Sequence, residues 1–148
     1  MGFSERELLA RIIICEAGGE GDTGMRAVAS VIMNRVNVAT GEYARISEGG
    51  SIRNIILQKG QFNCATDTLG GKYNPQNMYN TNPEAIHYEI ADWAISGNRI
   101  NEVDNSLWFM NPFSKNCPNV FPYNGTGNLH TRINNHCFFI PTPLYNET

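Results

Sequence analysis

Residues 8–16 read Leu-Leu-Ala-Arg-Ile-Ile-Ile-Cys-Glu, and two glycines follow at positions 18 and 19. At helical spacing Leu9, Ile12, Ile13 and Glu16 share one face. An apolar helix face must pack into a core, yet this one carries a carboxylate near its end. Glutamate is rarely buried without a partner. A carboxyl group half-sunk against apolar surface has its pKa raised by desolvation, and a general acid that stays protonated near neutral pH needs that environment. Spacing alone leaves one alternative open: Glu16 at the helix edge, pointing to water.

Ser4 with Glu7 three residues on forms a capping box ahead of this run, which predicts a helix from about residue 5 that Gly18-Gly19 ends. A second helix is expected from Thr23 to Val36, with Met25, Val28, Ala29, Ile32 and Val36 as its apolar stripe. Residues 37–50 contain Gly41, Gly49 and Gly50 without clear periodicity, and read as a loop. Ser51 caps a short helix with Ile52, Ile55 and Ile56 inward. Residues 63–82 read as a long polar loop. Asn82-Pro83-Glu84 predicts a further helix from Pro83 to about Ser96, with Ile86, Ile90, Trp93 and Ala94 facing the core. Beyond Gly97, Leu107-Trp108-Phe109-Met110 and Cys137-Phe138-Phe139-Ile140 are short, aromatic and β-prone. They predict two strands, paired, flanking irregular chain. The expected architecture is one mainly α domain over residues 1–148, in the α+β class, with a small β element in the C-terminal part.

The chain has 148 residues, the size of one domain with a real core. Its net charge is −3 with scattered Lys and Arg, which gives no basic stripe for nucleic acid. No apolar run approaches the ~20 residues of a membrane span. The N-terminal Met-Gly-Phe-Ser-Glu-Arg-Glu segment does not read as a secretory signal. Four cysteines, Cys15, Cys64, Cys117 and Cys137, allow two disulfides in three connectivities. Free buried thiols stand beside that reading. No Cys-x-x-Cys spacing supports structural zinc, and no carboxylate cluster has calcium-ligand spacing, so no metal site is expected.

Three constellations carry candidate chemistry. Glu16 and Glu20 form a carboxylate pair of the kind glycoside hydrolysis uses. Because the glycines intervene, their separation is not readable. A single Glu acting first as acid and then as base also suffices where a sugar's own hydroxyl is the nucleophile. Asn34-Arg35 with Gln61-Phe62-Asn63 offers amides and an aromatic face for sugar binding. Tyr73, Tyr79, Trp108 and Phe109 are further platforms, each with a core role as the alternative. His136-Cys137 suggests a thiol peptidase, but adjacent strand residues point to opposite faces and do not readily pair.

Together these residues resemble the SleB/CwlJ family of cell-wall hydrolases that open the spore cortex during germination. The matching features are Leu9-Ala10-Arg11 leading to Glu16-Ala17-x-Gly19-Glu20, then Gly24, Val28-Ala29-x-Val31, Asn34-Arg35-Val36 and Gln61-Phe62, with Ser96-Gly97 closing a later helix. Leu107-Trp108-Phe109-x-Asn111-Pro112, Cys117-Pro118 and His136-Cys137-Phe138-Phe139-x-Pro141-Thr142 are closer to the CwlJ branch. The resemblance implies a lysozyme-like fold and action on peptidoglycan glycan strands, particularly cortex carrying muramic-δ-lactam. It implies Glu16 as the catalytic acid, with Glu20 binding substrate or shaping the loop. Asn34, Arg35, Gln61, Phe62 and Trp108 become cleft residues. It further implies deposition at the coat–cortex boundary from the mother cell without a signal peptide, contact with spore coat proteins, and activation by calcium dipicolinate; no bound cofactor is expected, since the sequence offers no ligand cluster for one. Gly19 stands where many relatives carry a bulkier residue, which leaves the position of Glu20 open. The rival readings are a non-catalytic coat or peptidoglycan-binding module and a Cys–His amidase cutting stem peptides.

Overall fold

The computed structural model describes residues 2–148. Helix α1 (Glu5–Ala17) starts where Ser4 Oγ accepts from the Glu7 N–H at 3.1 Å. Glu7 completes no box: its carboxylate pairs instead with Arg11, one turn on, at 2.9 Å. Leu8, Leu9, Ile12 and Ile13 are fully buried, so α1 is the central helix of the core. Helices α2 (Gly21–Asn37), α4 (Ile52–Leu57) and α5 (Ala85–Ile95) pack around it. Val28, Val31, Ile32, Ile55, Ile56, Ile90 and Ala94 supply their inward faces.

Two expectations about helices need correction. The loop expected between 37 and 50 contains helix α3 (Gly41–Ser47), anchored by buried Tyr43 and Ser47. Helix α5 begins two residues later than Asn82-Pro83 suggested. Glu84 is its cap, and the Glu84 N–H donates to His87 Nδ1 at 3.0 Å. Ile86 consequently sits in the exposed first turn, while Ile90, Ala91 and Ala94 are buried.

Residues 63–82 are more ordered than a polar loop implies. A small hairpin pairs β1 (Thr68–Leu69) with β2 (Lys72–Tyr73). Buried Asn74 and Asn77 bond main-chain carbonyls around it, Asn77 Nδ2 to Asn74 O at 2.6 Å. Such local amide bonds order a segment that has few apolar anchors.

The C-terminal sheet has the order β3–β5–β4, all antiparallel. Strand β3 (Trp108–Met110) pairs with β5 (His136–Pro141) in the register Trp108↔Phe139, Phe109↔Phe138, Met110↔Cys137. Strand β4 (Gly127–Ile133), absent from the sequence reading, completes it with a register shift between Leu129 and Thr131. Buried Phe138 and Phe139 join this sheet to the helical core. A last 3-10 turn, Pro143–Glu147, returns to α3, where Tyr145 is almost wholly buried.

Candidate active site

Glu16 lies in the last turn of α1, beside a cleft of about 350 Å³. The rest of the lining comes from several separate later segments of the chain. Arg35 ends α2; Glu42 and Tyr43 start α3; Gln61 and Phe62 follow α4. Trp108 and Phe109 come from β3, Phe121, Pro122, Asn124 and Thr126 from the loop before β4, and Tyr145 and Thr148 from the last turn.

Burial raises the Glu16 carboxyl pKa to about 7, and the Arg35 guanidinium opposes that rise only in part. Among the described residues no N–H or O–H donates to this carboxylate. Its nearest polar neighbour is Cys64 Sγ, 3.2 Å from Oε2. That sulfur belongs to the Cys15–Cys64 disulfide and carries no proton. Near neutral pH, Glu16 is therefore a carboxylic acid and a carboxylate in comparable amounts, aimed at an open cleft.

Arg35 is buried and held on several sides. Its Nε donates to Leu107 O at 2.6 Å and Nη1 to Gln61 Oε1 at 3.3 Å. Its guanidinium lies 4.6 Å from the Tyr43 ring centroid and 5.1 Å from that of Phe62. Gln61 Oε1 also accepts from the Tyr43 hydroxyl at 2.9 Å. With its carbonyl oxygen doubly engaged, the Gln61 amide must turn its NH2 the other way, where it is free to donate to a ligand. Phe62 stacks on Phe109 with ring centroids 6.2 Å apart. Trp108 forms an inner wall, edge-on to Tyr145 at 5.6 Å. Trp108 is 4% exposed, so it offers the cleft a margin and no open stacking face.

Glu20 and Asn34, grouped with these residues in the sequence reading, lie outside the cleft lining. The Glu20 carboxylate accepts from Asn135 N and Asn135 Nδ2, both at 2.9 Å, and lies 3.3 Å from His136 Nδ1. Its main-chain carbonyl accepts from Asn134 Nδ2 at 2.7 Å. Glu20 thus ties the start of α2 to the β4–β5 turn. Asn34 Nδ2 donates to Asp104 O and Ser106 O at 2.9 and 3.0 Å, and its Oδ1 accepts from Arg99 Nε at 2.8 Å. Its amide is consumed in joining α2 to the segment before β3. Tyr73 and Tyr79 are exposed on the side of the hairpin and of the N-terminal segment, away from the cleft lining.

Glu42, Tyr43 and Tyr145 were missed in the sequence. The available signal was Thr40-Gly41-Glu42, a helix start with an acid in its first turn. Glu42 Oε2 accepts from Gln58 Nε2 at 2.7 Å. Tyr145 Oη accepts from the Tyr43 N–H at 3.0 Å and donates to Thr40 O at 2.9 Å.

All four cysteines are bonded, Cys15 to Cys64 and Cys117 to Cys137. This overturns the free-thiol reading and removes the nucleophile a Cys–His amidase requires. His136 faces Glu20 and Phe109 instead. Among the described residues no three His, Cys, Asp or Glu side chains gather as a metal site. No described helix is long and apolar enough to cross a membrane.

Comparison with known proteins agrees with this architecture. The chain is 29% identical over 136 residues to the cell wall hydrolase CwlJ of Halalkalibacterium halodurans, covering 92% of this chain and 85% of the relative. It is 30% identical over 139 residues to CwlJ of Oceanobacillus iheyensis, covering 94% and 88%. In structure it is similar to the catalytic domain of the Bacillus cereus SleB protein, with a TM-score of 0.64, 24% identity and coverage of 93% of this chain and 92% of that one. The catalytic domain of the germination-specific lytic transglycosylase SleB from Bacillus anthracis matches with the same TM-score and identity, covering 93% and 97%. These two establish the lysozyme-like α+β fold. The Cell Wall Hydrolase family profile matches residues 19–139, most of the chain though not Glu16 itself. The chain belongs to the cell wall hydrolase family, on the CwlJ side of the SleB/CwlJ group.

Proposed function

We propose that this protein cleaves the glycan strands of peptidoglycan, with Glu16 as a single carboxyl group that acts first as acid and then as base. The observation that carries the reading is a carboxyl group buried enough to titrate near pH 7, on an open cleft lined with aromatic rings and a free amide donor. The protonated Glu16 gives its proton to the glycosidic oxygen, and the bond from that oxygen to the anomeric carbon breaks. The carboxylate so formed is stabilised by Arg35. It then takes the proton of the sugar's own 6-hydroxyl as that oxygen attacks the anomeric carbon, closing an anhydro ring. Gln61 Nε2 donates to a sugar oxygen, and Phe109 with Phe121 bounds the ring faces.

A second reading rests on Glu42, the other carboxylate on the cleft. There Glu42 removes a proton from a water that attacks the anomeric carbon, and the product is a reducing end.

The setting we propose is spore germination, a reading supported by family membership and by the germination-specific name of one structural neighbour. The substrate is spore cortex carrying muramic-δ-lactam, the site of action is the coat–cortex boundary with coat proteins as partners, and calcium dipicolinate activates cleavage.

The test is digestion of lactam-containing cortex peptidoglycan by wild type and by Glu16→Gln, with and without calcium dipicolinate. Soluble fragments from wild type and none from the variant support the proposal. Full release by Glu16→Gln sinks the assignment of Glu16. Binding without release by the wild type, in both conditions, favours a non-catalytic module.

A further inference from the structure

We propose that the Cys15–Cys64 disulfide is a positioning element for Glu16, and that its reduction by a thiol or phosphine converts the cleft to a less active form. This rests on the reading of Glu16 given above.

Cys15 and Glu16 are neighbours in the last turn of α1, and Cys64 lies in the 3-10 turn directly after Gln61 and Phe62. One covalent bond therefore joins the helix that carries the acid to the loop that carries its cleft partners, across 49 residues of chain. The bond also touches the acid, because Cys64 Sγ is 3.2 Å from Glu16 Oε2. In the oxidised protein this sulfur has no hydrogen to offer. It lies against one side of the carboxyl group and donates no hydrogen bond to either protonation state.

Reduction transfers two electrons and two protons to the S–S bond, giving two thiols while the reductant is oxidised to its disulfide or phosphine oxide. Cys64 then holds an S–H at contact distance from Glu16. A thiol is a weak donor, but a hydrogen bond to the charged form favours ionisation. That acts against the burial that keeps Glu16 protonated. Reduction also releases the closed loop, so Gln61 and Phe62 lose their tether to α1. The other charged and titratable groups on this cleft are Arg35 from α2, Glu42 and Tyr43 from α3, and Tyr145 from the last turn. Cys15 is only partly buried, so the bond has an approach from outside. Cys117–Cys137 is the internal control, since neither residue lines the cleft.

The experiment is a carboxyl-carbon NMR titration of Glu16 in oxidised and reduced protein, run beside the pH dependence of kcat and KM on cortex glycan. The same pair of measurements is made on Cys15→Ala/Cys64→Ala. Reduction is expected to lower the Glu16 midpoint by roughly one unit in wild type. It should lower kcat severalfold at pH 8, with a smaller rise in KM as Gln61 and Phe62 loosen, and leave the double variant unaffected. If that variant does not fold, Cys117→Ala/Cys137→Ala takes its place and must still respond to reduction. An unmoved midpoint, an equal response in Cys15→Ala/Cys64→Ala, or unfolding of the reduced protein at 25 °C overturns the proposal. The titration needs no substrate, so a protein that cleaves no glycan would fail the functional reading while this one is still decided.

Discussion

The Glu20 carboxylate holds Asn135 with both of its oxygens, one bound to the main-chain N–H and one to the side-chain amide, each at 2.9 Å. A residue that looks from the sequence like half of a catalytic pair is a clasp between α2 and the tip of the β4–β5 hairpin. Charged acceptors in hydrogen bonds that are mostly shielded from water contribute about 1.5–3 kcal/mol each before losses elsewhere. Glu20→Ala should therefore lower unfolding stability by roughly 2–3 kcal/mol. Its folded fraction should keep cleaving glycan at close to the wild-type rate. Chemical denaturation alongside active-site-normalised rates checks this, and a stable but inactive Glu20→Ala would return Glu20 to the chemistry.

Glu16 titrates above its ordinary value because it is buried, so its effect on stability has a definite sign. Between the unfolded value near 4.5 and the folded value near 7 the folded state holds more protons than the unfolded state. Stability from this group is therefore lost as pH rises through that window and stays lost above it. Glu16→Gln, neutral and of the same shape, escapes the loss. It should match wild type at pH 4 and exceed it by roughly 2–3 kcal/mol at pH 8. Equal pH dependence of the two proteins in thermal melts would contradict the burial assigned to Glu16.

The same protonation governs rate. Cleavage begins from the protonated acid, so kcat/KM should fall about tenfold per pH unit on the alkaline side of about pH 7. Removing the guanidinium with Arg35→Met should move this limb to higher pH, because Arg35 is what opposes the rise. It also strands Leu107 O and takes one of the two donors from Gln61 Oε1, which keeps the Tyr43 hydroxyl, so the variant should lose about 2–3 kcal/mol of stability. A limb that moves to lower pH in this variant would be inconsistent with the geometry.

Gly41 sits at φ +75°, and a Cβ there would lie 2.6 Å from the Tyr145 ring. Gly41→Ala should push Tyr145 from its place against Trp108 and Tyr43, and so loosen the C-terminal wall of the cleft. Strain and lost packing together should cost about 2 kcal/mol or more. KM for glycan should rise more than kcat falls, a split that steady-state kinetics resolves.

The helices α1, α2 and α4 were readable because each has a cap or apolar stripe whose period is local. Helix α3 was not: Tyr43 is its only buried large apolar side chain, and that burial comes from Tyr145 and Trp108 far along the chain. Strand β4 was missed because its Gly-Asn-Leu-His-Thr-Arg-Ile lacks clean alternation, and the shift between Leu129 and Thr131 breaks what period it has. The placement of Glu16, Arg35, Gln61, Phe62 and Trp108 along one cleft was legible from residue type near helix ends and in an aromatic run. The contacts of Glu20 and Asn34 were not, because they depend on Asn135 and Ser106 arriving from more than seventy residues away. Cysteine pairing is likewise a tertiary property that spacing alone leaves open.

The most direct measurement is the mass of the glycan ends released from lactam-containing cortex peptidoglycan by wild type and by Glu16→Gln. The account predicts anhydro-muramyl ends, one water lighter than reducing ends, from wild type and no product from the variant. Reducing ends from wild type would contradict the single-carboxylate mechanism and move the second role to Glu42, and any substantial product from Glu16→Gln would remove Glu16 from the reaction.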